Sequence, residues 1–269
     1  MKNKITAGIL LSFFALMSSP LPAQAVTFYG EVPTGLVEMK NFRYPVYLFV
    51  PPGYKASRAY PFLMVLPEIG EAPEKAIQKW LGLGKKKGLI ILVPELKLRL
   101  DDVPYQTDTW ILQLKKDVTG RYHTAPDKTF LIGQGESAHY VAYLGLRYPE
   151  QFAGAALLGG SWVGSLDKLM TLNRRPKKQI PFFVAVPVAG PSQLYEKTEK
   201  KAYELTAKGY PVILEKLEEG KDALSADYLA HVTDWLEEKS ASWSKVRQES
   251  EKKFKEKVST GVEEFFSTN

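Results

Sequence analysis

Phe130-Leu131-Ile132-Gly133-Gln134-Gly135-Glu136-Ser137-Ala138, continuing to Arg147-Tyr148-Pro149-Glu150-Gln151-Phe152, is the stretch whose reading decides the fold. It opens as a short apolar run of strand type, passes through two closely spaced glycines, and continues with helical spacing to a proline that stops the helix. A strand that bends sharply into a helix needs an unusual backbone conformation at the bend. It also needs small residues where the two elements come together. Gly133, Gly135 and Ser137 supply these.

Outward from this unit, apolar runs bounded by Gly and Pro alternate with longer helical patterns. That alternation predicts a parallel sheet covered by helices on both faces. Strands are expected at Val46 to Val50, Phe62 to Leu66, Leu89 to Val93, Thr129 to Ile132, Ala155 to Leu158, Phe182 to Val186 and Val212 to Leu217. Helices are expected at Pro73 to Leu81, Thr109 to Tyr122, Glu136 to Tyr148, Ser192 to Lys208 and Ser225 to Lys239. Pro73 suits a first helical turn, and Ser192 and Ser225 are N-cap residue types. The fold class is therefore α/β, a three-layer, doubly wound and mostly parallel sheet.

Four segments in order carry a family resemblance. Tyr47-Leu48-Phe49-Val50-Pro51-Pro52-Gly53-Tyr54 is similar to an early strand ending in a proline-glycine turn, and Tyr60-Pro61-Phe62-Leu63-Met64-Val65-Leu66-Pro67-Glu68 to the strand that runs into an oxyanion loop. Asp127-Lys128-Thr129-Phe130 then leads into the stretch quoted first. Over about residues 44 to 239 the chain resembles the α/β-hydrolase superfamily, and within it secreted esterases of the polyhydroxybutyrate depolymerase and feruloyl esterase type. The resemblance implies that residues 130–148 form a nucleophile elbow of the pattern Gly-x-Ser-x-Gly. Counting back from Tyr148-Pro149, the nucleophile slot falls on Gly135, with Gly133 as the first glycine and Ser137 as the last small residue. A second register, Gly135-Glu136-Ser137-Ala138-His139, makes Ser137 the nucleophile and places a bulky His139 where a small side chain belongs.

A serine hydrolase also needs an imidazole base, an acid to orient it and donors for an oxyanion. The family's acid follows the strand corresponding to Phe182 to Val186. Here the loop reads Pro187-Val188-Ala189-Gly190, and no Asp or Glu occurs between Asp167 and Glu196. The family's Gly-His pair is matched by Gly220-Lys221, and its His-Gly oxyanion loop by Pro67-Glu68, in which proline has no N–H to donate and a carboxylate opposes an oxyanion. Gly135, Gly190 and Lys221 are thus the vestigial triad positions, and no catalytic residue is expected. The reading that follows is a pseudoenzyme that binds a small polar ligand, a glycan or an envelope protein, with Glu68, Gln134, Glu136, Trp162 and Lys221 as pocket candidates. Its rival is a carboxylic-ester hydrolase with Ser137 as nucleophile and His231 as base. Of the three histidines, His123 belongs at the far end of the sheet and His139 on the elbow helix. With no cysteine and no His spacing of ligand type, neither metal nor cofactor is implied.

The two ends read differently from the middle. Lys2 and Lys4, an apolar run from Ile5 to Met17, and Pro20 to Ala25 ending in Ala23-Gln24-Ala25 describe a secretory signal peptide. Residues 1–25 are expected to be removed, placing the protein in a periplasm or outside the cell. Residues 26–239 form the hydrolase-like domain. Residues 240–269 form an amphipathic helical tail in which Trp243, Val246, Phe254, Val258, Val262, Phe265 and Phe266 make an aromatic stripe for docking or self-association. No segment reaches the roughly 20 apolar residues of a transmembrane helix. The net charge of +6, two of it from Lys2 and Lys4, is interspersed with Glu and lacks the concentrated basic patch of a nucleic-acid binder.

Overall fold

Residues whose side chains are apolar in unbroken runs become strands buried on both faces, and five of them form the middle of an eight-stranded sheet. The computed structural model describes residues 32–97, 104–162, 166, 179–188, 193–242 and 245. Its strands are β1 (Gly35–Glu38), β2 (Val46–Val50), β3 (Tyr60–Leu66), β4 (Ile90–Pro94), β5 (Thr124–Gln134), β6 (Gly154–Leu158), β7 (Phe182–Pro187) and β8 (Val212–Leu217). They lie in the order β1-β2-β4-β3-β5-β6-β7-β8. The β1–β2 and β2–β4 pairs are antiparallel and the rest parallel.

The helices are α1 (Pro73–Lys87), α2 (Tyr105–Arg121), α3 (Ser137–Arg147), α4 (Leu194–Ala207) and α5 (226–242). They divide the core into two layers. On one face α2, α3 and α4 contribute Ile111, Leu114, Val141 and Leu205 against Leu131, Leu157 and Val184. On the other, α1 and α5 contribute Ile77, Trp80, Leu229 and Val232 against Ile132, Ala156 and Phe183. The result is the three-layer, doubly wound architecture the alternation predicts.

Boundaries differ where burial and propensity part company. Pro73 opens α1 as expected, but the helix runs on through Gly82 and Gly84 to Lys87 and ends at Gly88 in the left-handed region, whose N–H caps the Gly84 carbonyl. Strand β5 begins five residues before Thr129, because its Tyr60↔Thr124 pairing resumes at Phe62↔Thr129 after an irregularity that lets Pro126 and Asp127 sit in the strand without a ladder partner. The short edge strand β1 was not expected. Its four residues alternate between half-buried and exposed, too brief a pattern to read alone. Gln193, at a φ of 69°, precedes α4, Ser192 lies outside the described residues, and the Ser225 carbonyl accepts the Leu229 N–H at the start of α5. The signal-peptide segment, Gly190 and the stripe from Trp243 to Phe266 also lie outside the described residues. Among the described residues no helix is long and apolar enough to cross a membrane.

Candidate functional site

The chain leaves β5 at Gln134, turns at Gly135-Glu136 and enters α3 at Ser137. Gly135 has a φ of 54°, in the left-handed region that costs any other residue about 1–2 kcal/mol. Its N–H donates to the Leu158 carbonyl of β6 at 2.9 Å, and its own carbonyl accepts the Ala138 N–H at 3.1 Å. A side chain at Gly133 would place Cβ 2.6 Å from the Ala138 Cα, so the helix can cross the strand only over glycine. The structure therefore builds a sharp strand-to-helix elbow with glycine at its apex.

Ser137 is the first residue of α3, with its hydroxyl sealed from solvent. Oγ accepts the Gln134 N–H at 3.0 Å and faces the Leu66 and Gln134 carbonyls at 2.7 and 2.9 Å, donating its single proton to one at a time. It ties the end of β3 to the turn. No imidazole is among its hydrogen-bond partners.

The apex is filled from the neighbouring strand. After β3 the chain continues through Pro67-Glu68, and the Glu68 Oε1 accepts the Glu136 N–H at 2.9 Å. A Cβ built on Gly135 would fall 1.2 Å from the Glu68 Oε2. The carboxylate thus lies in the volume that a side chain at position 135 would need. It also occupies a backbone donor at the N-terminus of α3, where negative charge is favoured by the unpaired amides of the first turn.

Around this point the carboxyl ends of the strands open into a cleft of about 680 Å³. Gln134, Gly135, Leu158 and Gly159 form its floor. Glu68 and Glu71 bound one side with Lys79 of α1, which is paired to Glu71 at 2.6 Å. The loop from β8 to α5 bounds the other with Glu218, Glu219, Lys221 and Asp222, while Pro187, Leu217 and Leu224 supply apolar wall. Gln134 is 3% exposed, its side-chain amide oxygen and nitrogen are sealed from solvent, and neither has a hydrogen-bond partner in the protein.

Glu68, Gln134, Gly135 and Lys221 are therefore brought together at one cleft. Glu136 takes part through its backbone N–H, and its side chain is exposed outside the cleft lining. Trp162 lies elsewhere. Fully buried, it donates Nε1–H to the Thr198 carbonyl at 3.1 Å and packs edge-on against Phe182. His231 is half exposed on α5, with Nε2 3.1 Å from the Glu215 carboxylate and its ring edge-on to Phe183. His139 is buried on α3 and accepts the Leu166 N–H at Nε2, and His123 stands just before β5, at the opposite end of that strand, with Nδ1 2.8 Å from the Ala56 carbonyl. Among the described residues no group of three His, Asp or Glu side chains is placed to hold a metal ion.

Two features escape a reading of the sequence. The acidic loop residues Glu218, Glu219 and Asp222 belong to the cleft, and the run from Glu215 to Asp222 was their only signal. Beneath the elbow helix, Asp108 of α2 is 1% exposed and accepts hydrogen bonds from the hydroxyls of Tyr140, Tyr143 and Tyr148 at 2.7, 2.8 and 2.8 Å. Burial, followed by the Asp108 charge and its hydrogen bond, drives the Tyr140 phenol far above its ordinary range, and burial with the same carboxylate raises Tyr143 and Tyr148. Tyr140 and Tyr143 are three apart on one helix, the spacing that puts them on one face.

No protein family and no curated protein matches the sequence. Solved structures do. The chain is similar to a thermostable esterase at 18% identity and a TM-score of 0.58, aligning 76% of this chain with 62% of that one, so it spans less than two thirds of that protein's length. It is similar to S-formylglutathione hydrolase from Staphylococcus aureus at 11% identity and a TM-score of 0.54, over 72% and 92% of the two chains. For esterase PE8 the values are 14%, 0.54, 77% and 100%. At such identities the likeness is one of fold. The chain has the α/β-hydrolase fold, and its structural neighbours are esterases and serine hydrolases.

Proposed function

We propose that this chain is an exported, non-catalytic member of the α/β-hydrolase fold that binds a small polar ligand or an envelope partner at the cleft around Gly135. The observation that carries the reading is the Glu68 carboxylate lying where a nucleophile at position 135 would stand and accepting the Glu136 N–H that would face an oxyanion. Catalysis of acyl transfer stabilises negative charge as it develops at that point. A fixed carboxylate there does the reverse. Ser137 is hydrogen-bonded to the backbone of Leu66 and Gln134, and His231 to the Glu215 carboxylate rather than to Ser137, which disfavours the rival ester hydrolase. Export rests on the basic, apolar and Ala23-Gln24-Ala25 segments of residues 1–25.

The test is chemical. The mature protein is incubated with a fluorophosphonate probe and with short-chain activated esters, beside a denatured control and Ser137→Ala. No labelling and no hydrolysis above the control is the expected outcome. A serine activated by imidazole accelerates acylation by several orders of magnitude, so labelling that disappears in Ser137→Ala would identify an ester hydrolase instead.

A further inference from the structure

We infer that the amino edge of the sheet is a docking face for an anionic lipid bilayer, holding the cleft at the opposite edge away from that surface. The inference goes beyond the binding role proposed above and is independent of the cleft's ligand. Positive charge that is scattered through the sequence is gathered by the fold. The loop 51–59 crosses from β2 to β3 and carries Lys55 and Arg58. Helix α1 ends in Lys85, Lys86 and Lys87 as it returns to β4, and the passage from α2 into β5 carries Arg121 and Lys128. Strand β4 lies between β2 and β3, and β5 lies on the other side of β3, so the three stretches are neighbours at one end of the strands. Hydrogen bonds hold the loop against the start of β5: the Lys55 N–H donates to the Tyr60 hydroxyl at 3.0 Å, the Tyr60 N–H to the His123 carbonyl at 2.9 Å, and His123 Nδ1 lies 2.8 Å from the Ala56 carbonyl.

The charge gathered here is of one sign. Asp127 is the only carboxylate in residues 51–59, 84–89 and 118–128. Lys87 and Lys128 are matched by Asp234 and Glu237 of α5. Lys55, Arg58, Lys85, Lys86 and Arg121 are exposed and have no carboxylate partner among the described residues. Lysines at a helix C-terminus favour its dipole, but Lys55 and Arg58 stand in a loop with no such benefit. At the other end of the same sheet the cleft carries Glu68, Glu71, Glu218, Glu219 and Asp222 over Lys79 and Lys221. Opposite charges separated in this way turn the molecule basic end inward at a negatively charged surface. The rings at the basic end, Tyr54, Tyr60 and Tyr122, pack against one another, with Tyr60 and Tyr122 buried, so they present no aromatic face to a base or a sugar. The exposed large apolar side chains Leu36, Tyr105, Val188 and Tyr203 lie outside these stretches. What the edge offers is charge alone, which suits a phosphate-rich surface met without insertion. For an exported chain that surface is a bilayer of the envelope.

Flotation of the mature, full-length chain with vesicles of phosphatidylcholine, with and without phosphatidylglycerol, tests this. Binding is expected only where the anionic lipid is present, and it should fall as salt rises. Arg58→Gln with Arg121→Gln should weaken it about twentyfold, roughly fivefold for each charge near an anionic surface, and Lys85→Gln with Lys86→Gln, on a different element, by a comparable factor. Lys75→Gln with Lys197→Gln removes the same net charge from exposed positions near the starts of α1 and α4, at the acidic end, and should leave binding nearly unchanged. The chain has no cysteine, so Ser57→Cys and Glu219→Cys each accept a single fluorophore. Nitroxide lipid headgroups should quench the label at position 57 and spare the one at 219. Equal binding to both kinds of vesicle, edge variants no weaker than the Lys75 and Lys197 pair, equal quenching of the two labels, or no binding at low salt would each overturn the inference. So would polyphosphate bound in preference to the vesicles, which would make the partner a soluble polyanion. Vesicle binding by purified protein stands apart from fluorophosphonate labelling, which decides the non-catalytic role alone.

Discussion

At the scale of single residues the site turns on Gly135 and Glu68, which exclude one another's alternatives. Gly135→Ser places a side chain in the left-handed region, at about 1–2 kcal/mol. It also drives the carboxylate off the Glu136 N–H, a charge-assisted hydrogen bond worth about 1.5–3 kcal/mol. The variant should lose stability by several kcal/mol in urea denaturation and gain no esterase activity, since Lys221 and Pro67 supply neither base nor donor. Made in a Glu68→Ala background, the same substitution should cost distinctly less, because the clash is already gone. Equal costs in the two backgrounds would mean that the carboxylate does not fill the slot. Ser137→Ala should cost about 1–3 kcal/mol by leaving buried backbone groups of the elbow short of a partner. Of this site, the glycine apex and the small residue at 137 were legible, because turn sterics act within a few residues. The seat of Glu68 was not: it depends on Leu66 lying beside Gly133 in the sheet, a register that no local pattern specifies.

Among the elements, α2 and α3 are joined by a charge rather than by apolar surface alone. Asp108 is buried, and an isolated carboxylate there would be costly; three phenol donors from or just after α3 make it tolerable. Asp108→Ala leaves three buried or half-buried hydroxyls without their acceptor. It should lower stability by more than about 3 kcal/mol, whereas Asp108→Asn, which keeps one acceptor oxygen, should cost less. Single Tyr143→Phe or Tyr148→Phe changes should each cost roughly 1–3 kcal/mol, less than the loss of the carboxylate that all three share. Urea midpoints at constant slope would measure the order, and an Asp108→Ala variant no weaker than Tyr148→Phe would contradict it. Element types were readable from apolar period and length, as with β4 and β6. Their ends were not, where tertiary pairing overrode propensity: Pro126 argues against a strand, yet β5 passes through it because a ladder irregularity spares that position.

For the molecule as a whole, the parallel sheet followed from the alternation of strands and helices, but the electrostatic character of its carboxyl edge did not, because it is assembled from loops far apart in the chain. The same burial that forms the core gives the protein an alkaline limit. Burial raises Tyr210 to about 12 from an ordinary value of 10.0, burial and Glu215 raise Tyr228, and burial and Asp108 raise Tyr140, Tyr143 and Tyr148. The native chain therefore holds these protons above pH 10, where the unfolded chain releases them. Their contribution to stability is complete below the unfolded value and is lost as pH climbs through the raised ones, for Tyr210 toward about 12. Lys115, lowered by burial, acts in the opposite sense, but it is one group against the several raised phenols. Unfolding free energy should consequently fall steadily as pH rises above 10.0. Tyrosinate absorbance should show the buried phenols of Tyr140, Tyr143, Tyr210 and Tyr228 ionising only as the fold is lost. Replacing Tyr210 with Phe removes one such proton and should make the decline shallower. A stability flat from neutral pH into the alkaline range, with all tyrosines ionising together near 10.0, would show that the phenols keep no protons the unfolded chain gives up.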